Sequence, residues 1–270
     1  MIARTYFQLL LALTLSAPDC ARADCSRDIL VPVAAIGQSV IIGETTISGI
    51  YPDLLRSMGA KAGCNFIFSA VPRARLEAMF EAGKADLLIP ASGTPRRDPH
   101  GSFVPMLGIR PVLISIVSAR APILNMRDLL ERREVRVALV RGFDYGPAYQ
   151  GLIQELEKQH RLFLEVDTLA VARLLQAGMA DATIMAPTIF AGTIRDNKRV
   201  QGLADRLRLE PLPELPWILS GAYISRKSLT PEDQAQLRDL LERAVKSGAL
   251  MDNFQRYYPP ELLATSVRPR

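Results

Sequence analysis

The sequence predicts an α/β protein built as two lobes of related topology around a cleft. Strand-like and helix-like segments alternate along residues 28–91 and again along residues 134–186, the pattern of parallel sheets covered by helices. Two long β-rich stretches, 108–120 and 211–227, stand where the chain would pass from one lobe to the other and back. Two connecting strands would form a hinge.

The first lobe is predicted to begin with a βαβαβ series. An apolar run at 28–34 indicates the first strand, and the next segment places Tyr51, Leu54, Leu55 and Met58 on one helical face. The segments in order are 28–34 (strand), 51–63 (helix), 65–71 (strand), 73–83 (helix) and 85–91 (strand).

The second lobe is predicted to repeat this series. Its segments are 134–140 (strand), 146–159 (helix), 161–166 (strand), 169–178 (helix) and 180–186 (strand). The stretch EAGKADLLIPA at 81–91 matches QAGMADATIMA at 176–186 in six of eleven positions, which favours lobes of related topology. After the return crossing, Thr230 and Pro231 indicate the start of a further helix, with Thr as N-cap and Pro at the first helical position.

The first 23 residues are predicted to be a signal peptide. A basic start, a short apolar stretch and a small-x-small site ending at Ala23 indicate export to the periplasm with cleavage after Ala23. The apolar stretch is too short for a stable membrane anchor. The chain has a formal net charge of +5, but its basic residues are scattered and do not alternate with aromatics. A nucleic-acid partner is therefore not expected.

Cys25 and Cys64 remain after the predicted cleavage. Each comes just before an apparent strand, and an exported chain can keep a disulfide. If the two strands are parallel neighbours, the cysteines lie at the same edge of the sheet and can form a bridge. The alternative is a pair of free thiols.

The order of several motifs resembles the extracellular solute-binding proteins of family 3, the periplasmic receptors for polar amino acids and related molecules. The motifs are GIYPDL (49–54), PRAR (72–75), AGKAD (82–86) and TPRR (94–97). The resemblance implies a two-lobed periplasmic-binding-protein-like fold of type II, with two parallel-core sheets and a two-strand hinge. Its implied domains are lobe 1 (24–115 and 216–270) and lobe 2 (116–215).

In that family the arginine that closes the T-P-x-R motif holds the ligand's carboxylate. The resemblance therefore assigns this role to Arg97, with Ser92 and Thr94 as helpers, and leaves Arg96 as a solvated neighbour. A guanidinium suits the role because it offers a rigid fork of donors and keeps its charge.

The sequence departs from the family at three places. Arg73 replaces the aromatic that stacks on the ligand, and Ala186 replaces the acid that receives an ammonium group. Asp144 lies where the second lobe usually offers a hydroxyl. Arg73 and Arg75 begin a helix, where backbone N–H groups also favour anions. The expected ligand is therefore a small carboxylate or other anion, and not a standard α-amino acid.

The resemblance implies a monomeric binding protein, with no catalytic residues, metal or cofactor, that delivers its solute to an ABC permease. One alternative is a soluble sensor that reports to a membrane histidine kinase. The other is an enzyme, since the fold hosts a periplasmic cyclohexadienyl dehydratase. Such chemistry needs an acid or base in the cleft, and Glu44 and Asp144 are the candidates.

Overall fold

The chain folds into two α/β lobes, as predicted. A computed structural model describes residues 25–195 and 197–270. The predicted signal peptide (1–23) and its cleavage site lie outside the described residues.

Lobe 1 contains the first and last parts of the described chain. Its early elements are β1 (Ile29–Val33), β2 (Ile41–Ile42), β3 (Ile47–Ser48), α1 (Ile50–Ala62), β4 (Phe66–Ala70), α2 (Arg73–Glu81), β5 (Leu87–Ser92) and β6 (Gly101–Ile109). Its later elements are β12 (Ile218–Ser225), α7 (Pro231–Lys246), α8 (Ala249–Tyr257), α9 (Pro260–Ser266) and β13 (Val267–Pro269). Strands β1 and β4 are parallel, β1 lies beside β5, and β5, β12, β6 and β13 follow in antiparallel order.

Lobe 2 contains a five-stranded sheet in the order β11-β7-β10-β8-β9. Its elements are β7 (Val112–Ile116), α3 (Met126–Glu131), β8 (Val137–Val140), α4 (Pro147–Lys158), β9 (Leu162–Glu165), α5 (Thr168–Gln176), β10 (Ala182–Met185), α6 (Pro187–Ile194) and β11 (Leu207–Glu210). Strands β9, β8 and β10 are parallel, and β7 and β11 complete the sheet in antiparallel fashion.

The repeated stretch forms the same structure in both lobes. Gly83 and Gly178 end α2 and α5 with φ values of 72° and 67°, the left-handed conformation that glycine adopts most readily. Asp86 and Asp181 come directly before β5 and β10. Asp86 accepts the backbone N–H of Leu30 at 2.7 Å, and Asp181 accepts that of Arg136 at 2.8 Å. The residues shared by the two stretches therefore form the same connection between a helix and a strand in both lobes.

The two crossings between the lobes differ from the predicted pair of strands. Strand β6 ends at Ile109 and β7, already in the lobe 2 sheet, begins at Val112. The first crossing is thus residues 110–111, and the predicted boundary at 115/116 is placed too late. The return crossing, 211–217, is not a strand. Prolines at 111, 211, 213 and 216 explain both breaks, because proline cannot donate to a sheet.

A disulfide joins Cys25 and Cys64, whose Cα atoms are 4.9 Å apart. The two cysteines precede β1 and β4, and the parallel register of these strands brings their amino ends together. The bridge closes a loop with a sequence separation of 39 residues. In the chain-entropy description such a loop stabilises the fold by roughly 4 kcal/mol.

The C-terminal segment adds a noncovalent link between the lobes. Strand β13 pairs with the end of β6, next to the first crossing, while α9 packs against α6 of lobe 2. Arg268 belongs to β13, and its guanidinium lies 4.7 Å from the ring centre of Trp217 in the return crossing. Both crossings and the C-terminal segment therefore meet in one region.

Candidate functional site

A small cavity of about 50 Å³ lies between the lobes, with walls from both. The lobe 1 wall includes Ser39, Tyr51, Arg73, Ser92, Arg97 and Ser220; the lobe 2 wall consists of Phe143, Asp144, Tyr145, Ala186, Thr188 and Ile189. The cavity is thus a mainly apolar space with a few polar groups directed toward it, the usual character of a small-molecule site.

Arg97 is fully buried beside this cavity, with 1% of its surface exposed. It lies in the turn after β5, which is fixed where the Arg97 N–H donates to the Thr94 carbonyl at 3.0 Å. The guanidinium donates from Nη1 to the Ser92 carbonyl at 2.8 Å. Its Nε and Nη2 donate to the two carboxylate oxygens of Glu77 at 3.0 and 2.9 Å.

Glu77 is the central acid of the site, and its role was not predicted from the sequence. It lies one helical turn after Arg73 on α2 and is 4% exposed. Arg73 Nη2 donates to it at 2.7 Å, and Arg73 Nη1 donates to the Pro90 carbonyl at 3.0 Å. The signal in the sequence was the Arg-x-x-x-Glu spacing, which places two side chains on one face of a helix.

The arginines keep Glu77 ionised. Burial raises the pKa of Glu77, but the charges of Arg73 and Arg97, the hydrogen bond from Arg97 and the charge of Arg96 together lower it below its ordinary value. Burial has the largest effect on the pKa of Arg73 and lowers it, although the charge of Glu77 acts to raise it. An arginine stays cationic at neutral pH even so, and the three groups form a buried charged cluster.

Arg96 is not only a solvated neighbour. Half of its side chain is exposed, but Nη2 donates to Glu77 at 3.1 Å. Its Nε also lies 3.5 Å from Asp144 Oδ2 across the cleft. Asp144 is 4% exposed and accepts the Gly146 N–H at 2.9 Å, which fixes its turn. Arg96 thus forms an ion pair that joins the two lobes.

The other predicted site residues have different positions. Ser92 lines the cavity, whereas Thr94 is buried behind it with its N–H donated to Tyr223 Oη at 2.9 Å. Arg75 points away from the cleft: it lies on the exposed face of α2, since residues 73 and 77 take the buried face. Glu44, an acid considered for catalysis, lies in the exposed turn between β2 and β3.

The lobe 2 wall contacts the arginine cluster closely. Gly142 has a φ of 90° and approaches the backbone of Ala74 so closely that a Cβ would lie 3.2 Å from its Cα. This contact places the Phe143 ring 6.0 Å from the Arg73 guanidinium carbon. Tyr145 Oη and Arg73 Nε are both buried without a hydrogen-bond partner among the described residues. Arg73 Nε on the lobe 1 side and the Tyr145 hydroxyl on the lobe 2 side are therefore left for a bound molecule.

Two further sets of hydrogen bonds also connect the lobes. Thr188, at the start of α6, donates its N–H to Ser266 Oγ at 3.0 Å, and the two hydroxyls are 2.9 Å apart. Gln38 Nε2 donates to the Gly192 carbonyl at 3.1 Å. The structure therefore shows the lobes closed on each other.

The fold agrees with that of solved binding proteins. The arginine-, lysine-, histidine-binding protein ArtJ from Geobacillus stearothermophilus matches with a TM-score of 0.69 and 18% identity, over 88% of this chain and 99% of that one. A histidine kinase sensor domain with similarity to periplasmic binding proteins matches with a TM-score of 0.68 and 19% identity, over 86% and 96%. The ancestral amino acid-binding protein AncCDT-1, a precursor of cyclohexadienyl dehydratase, gives 0.67 and 16%, over 86% and 96%.

No protein-family model matches the chain, and no curated protein matches it. At the identities found, the likeness to solved structures shows the fold. The predicted resemblance to solute-binding proteins is confirmed at that level, and these neighbours are mostly binding proteins rather than enzymes. Among the residues that the structure describes, no helix has the length and apolar character needed to cross a membrane.

Proposed function

We propose that this protein is a periplasmic solute-binding protein that holds a small carboxylate-bearing solute in the cleft between its lobes. The observation that carries the proposal is the pair of buried arginines, Arg73 and Arg97, beside one small, mainly apolar cavity. The cavity of about 50 Å³ would accommodate roughly four water-sized groups in this closed form, which favours a small ligand.

The donors left by the internal contacts suit an anion. Arg97 has five N–H groups, of which three donate to Glu77 and Ser92. Its remaining donors and the Nε of Arg73 supply the lobe 1 contacts to a carboxylate, with Ser92 beside them. The Tyr145 hydroxyl and the apolar ring of Phe143 supply the contacts from lobe 2.

The lobe 2 wall does not suit the ammonium group of an α-amino acid. Ala186 is buried at the position where the resemblance implies an acid, and it offers an ammonium group no charge. The nearby Asp144 is engaged by Arg96 and by the Gly146 N–H. The proposed ligand therefore carries a carboxylate without a neighbouring ammonium group.

Binding and release follow from the hinge. The ligand docks on lobe 1 while the lobes are apart, and the lobes then close about residues 110–111 and 211–217. A ligand favours the closed form only by contacts that it makes better there, and the two-sided cavity provides such contacts. The closed monomer then delivers its solute to an ABC permease.

A sensor role is the second candidate, favoured by the likeness to a histidine kinase sensor domain. The same closure would then be read by a membrane kinase instead of a permease. Pull-down from an envelope fraction with the ligand-saturated protein distinguishes the two: a transport role predicts capture of permease subunits, and a sensor role predicts capture of a kinase.

The ligand class is tested by calorimetry after a thermal-shift screen of small carboxylates and standard amino acids. Arg97→Ala should weaken carboxylate binding by ~2–5 kcal/mol if the arginine holds a buried carboxylate. Arg75→Ala is the matched control, because that arginine is exposed on α2, and it should bind as the wild type does. The screen also includes prephenate, to test the enzymatic alternative of a cyclohexadienyl dehydratase. Catalysis would appear as a rise in the absorbance of the aromatic product. Tight binding of an ordinary α-amino acid, or an equal loss in both variants, would contradict the proposal.

A further inference from the structure

Glu77 is an internal carboxylate that already occupies the best-placed donors of the site. It accepts hydrogen bonds from Arg73, from Arg96 and twice from Arg97. A carboxylate offers about four lone-pair positions, so these four bonds saturate it. The Nε and Nη2 edge of Arg97, which forms a two-point fork for a carboxylate, is therefore engaged within the protein.

Glu77 also sets the charge that a ligand meets. Buried Arg73 and Arg97 contribute two positive charges and buried Glu77 removes one, while half-exposed Arg96 lies among the carboxylates of Glu77, Glu81 and Asp144. The buried lobe 1 groups Arg73, Arg97 and Glu77 therefore have a net charge of one positive unit. No cationic side chain belongs to the lobe 2 wall of the cavity as the structure describes it, and Asp144 places a carboxylate there.

The engaged donors of Arg97 and the single net positive charge both favour a ligand with one carboxylate group. One carboxylate group is compensated by the net positive charge and by the donors of Arg73 and Arg97 that remain available. A second carboxylate on the same small molecule would meet the apolar lobe 2 wall or Asp144, and an unpaired charge is costly in such surroundings.

We propose that Glu77 is a specificity-determining residue that restricts the cleft to singly charged anions and disfavours dicarboxylates. The inference rests on the proposed function, since it presupposes a carboxylate bound at the arginine cluster. Glu77 has a second effect that follows from the same contacts: it holds both guanidinium groups in place before any ligand arrives, so that less side-chain freedom is lost on binding.

The wild-type protein gives the first test. Dicarboxylates of three to six carbons are compared by calorimetry with their own monoamides, which have nearly the same size and one charge fewer. We expect the monoamides to bind at least about tenfold more tightly, or about 1.4 kcal/mol. Equal affinity, or tighter binding of the dicarboxylates, would overturn the inference and leave the proposed function intact. Failure of every carboxylate and monoamide to bind would instead overturn the proposed function and the inference with it.

Glu77→Gln gives the second test, because it raises the cluster charge by one unit with little change of shape. We expect the ratio of monoamide to dicarboxylate affinity to fall at least about tenfold relative to the wild type. The matched control is Glu81→Gln, one turn further along α2, whose partly exposed carboxylate lies 3.6 Å from Arg96, and it should leave the ratio unchanged. A ratio unchanged in folded Glu77→Gln would show a purely structural role. If that variant does not fold, the wild-type comparison decides.

Discussion

At the scale of single residues, Arg97 and Glu77 are the informative pair. Resemblance to a family leads one to expect a free guanidinium directed at the ligand, yet two sides of Arg97 contact Glu77 and the Ser92 carbonyl. Burying such a pair requires desolvation of both ions, which only good geometry and further hydrogen bonds compensate. The additional contacts from Arg73 and Arg96 meet this requirement, so the cluster is both a binding wall and part of the lobe 1 structure.

The pKa of Glu77 gives a prediction about acid stability. Because the pKa is lowered on folding from an ordinary value of 4.5, the unfolded chain binds a proton more readily than the folded one. The stabilisation by ionised Glu77 is therefore complete above that value and is lost as the pH falls through the lower folded-state pKa. Glu77→Gln should cost about 3–5 kcal/mol at neutral pH, as expected when one partner of a buried ion pair is removed.

Denaturant titrations from about pH 7 to about pH 3 measure this effect. The wild type should lose stability toward acid more steeply than Glu77→Gln, so that the difference between the two proteins shrinks. Asp86, Glu210 and Asp233, whose pKa values are also lowered, act equally in both proteins. A difference that stays constant down to the lowest pH would show that Glu77 does not titrate as the contacts imply.

At the scale of secondary-structure elements, the end of α3 depends on one buried arginine. Arg161, just before β9, is 5% exposed. It donates to the carbonyls of Leu129, Leu130, Arg132 and Val135 at distances of 2.6–3.2 Å. Carbonyls at a helix end lack partners within the helix, and here one guanidinium supplies them.

Arg161→Ala should therefore destabilise lobe 2. Each buried carbonyl left without a donor costs about 1–3 kcal/mol, and unfolding by denaturant measures the sum. Hydrogen exchange should rise most at residues 126–135, next to the lost contacts. Arg133→Ala is the control, because Arg133 is exposed beside the same helix. Equal losses in the two variants would mean that charge, and not the capping of α3, explains the effect.

The sequence allowed most elements to be predicted, because alternating periodicity and Gly or Asp punctuation are local signals. The Ala-Gly-x-Ala-Asp stretch is the clearest case, since Gly83 and Gly178 end their helices alike. The membership of β7 in lobe 2 was not predictable in this way, because pairing with β10 and β11 decides it. At the site, the TPRR motif indicated that Arg97 lies beside the cleft, but it did not show that the Nε and Nη2 groups of Arg97 contact Glu77. That contact depends on how α2 packs against the turn after β5.

At the scale of the whole molecule, the contact of α9 with α6 connects the lobes in addition to the two crossings and the contacts around the cleft. Thr188 belongs to lobe 2 and Ser266 to the C-terminal segment paired with lobe 1. Both side chains are buried, at 3% and 0% exposure. Any separation of the lobes that moves α6 away from α9 must break their hydrogen bonds.

Ser266→Ala should consequently favour the open form. Loss of this acceptor leaves the buried Thr188 N–H unpaired, at a cost of about 1–3 kcal/mol to the closed form. Small-angle X-ray scattering should show a larger radius of gyration, and carboxylate affinity should fall because less of the protein is competent to bind. Thr265→Ala, at an exposed neighbour, should change neither quantity. An unchanged radius in Ser266→Ala would mean that the bond does not control closure.

The position of Trp217 makes the hinge optically accessible. The chain has one tryptophan, so ultraviolet emission excited at the indole band originates from the return crossing alone. The cation held 4.7 Å from its ring makes the indole spectrum sensitive to small movements of that crossing. The protein therefore carries its own fluorophore, and a stopped-flow emission trace can time the swing of the lobes without a dye.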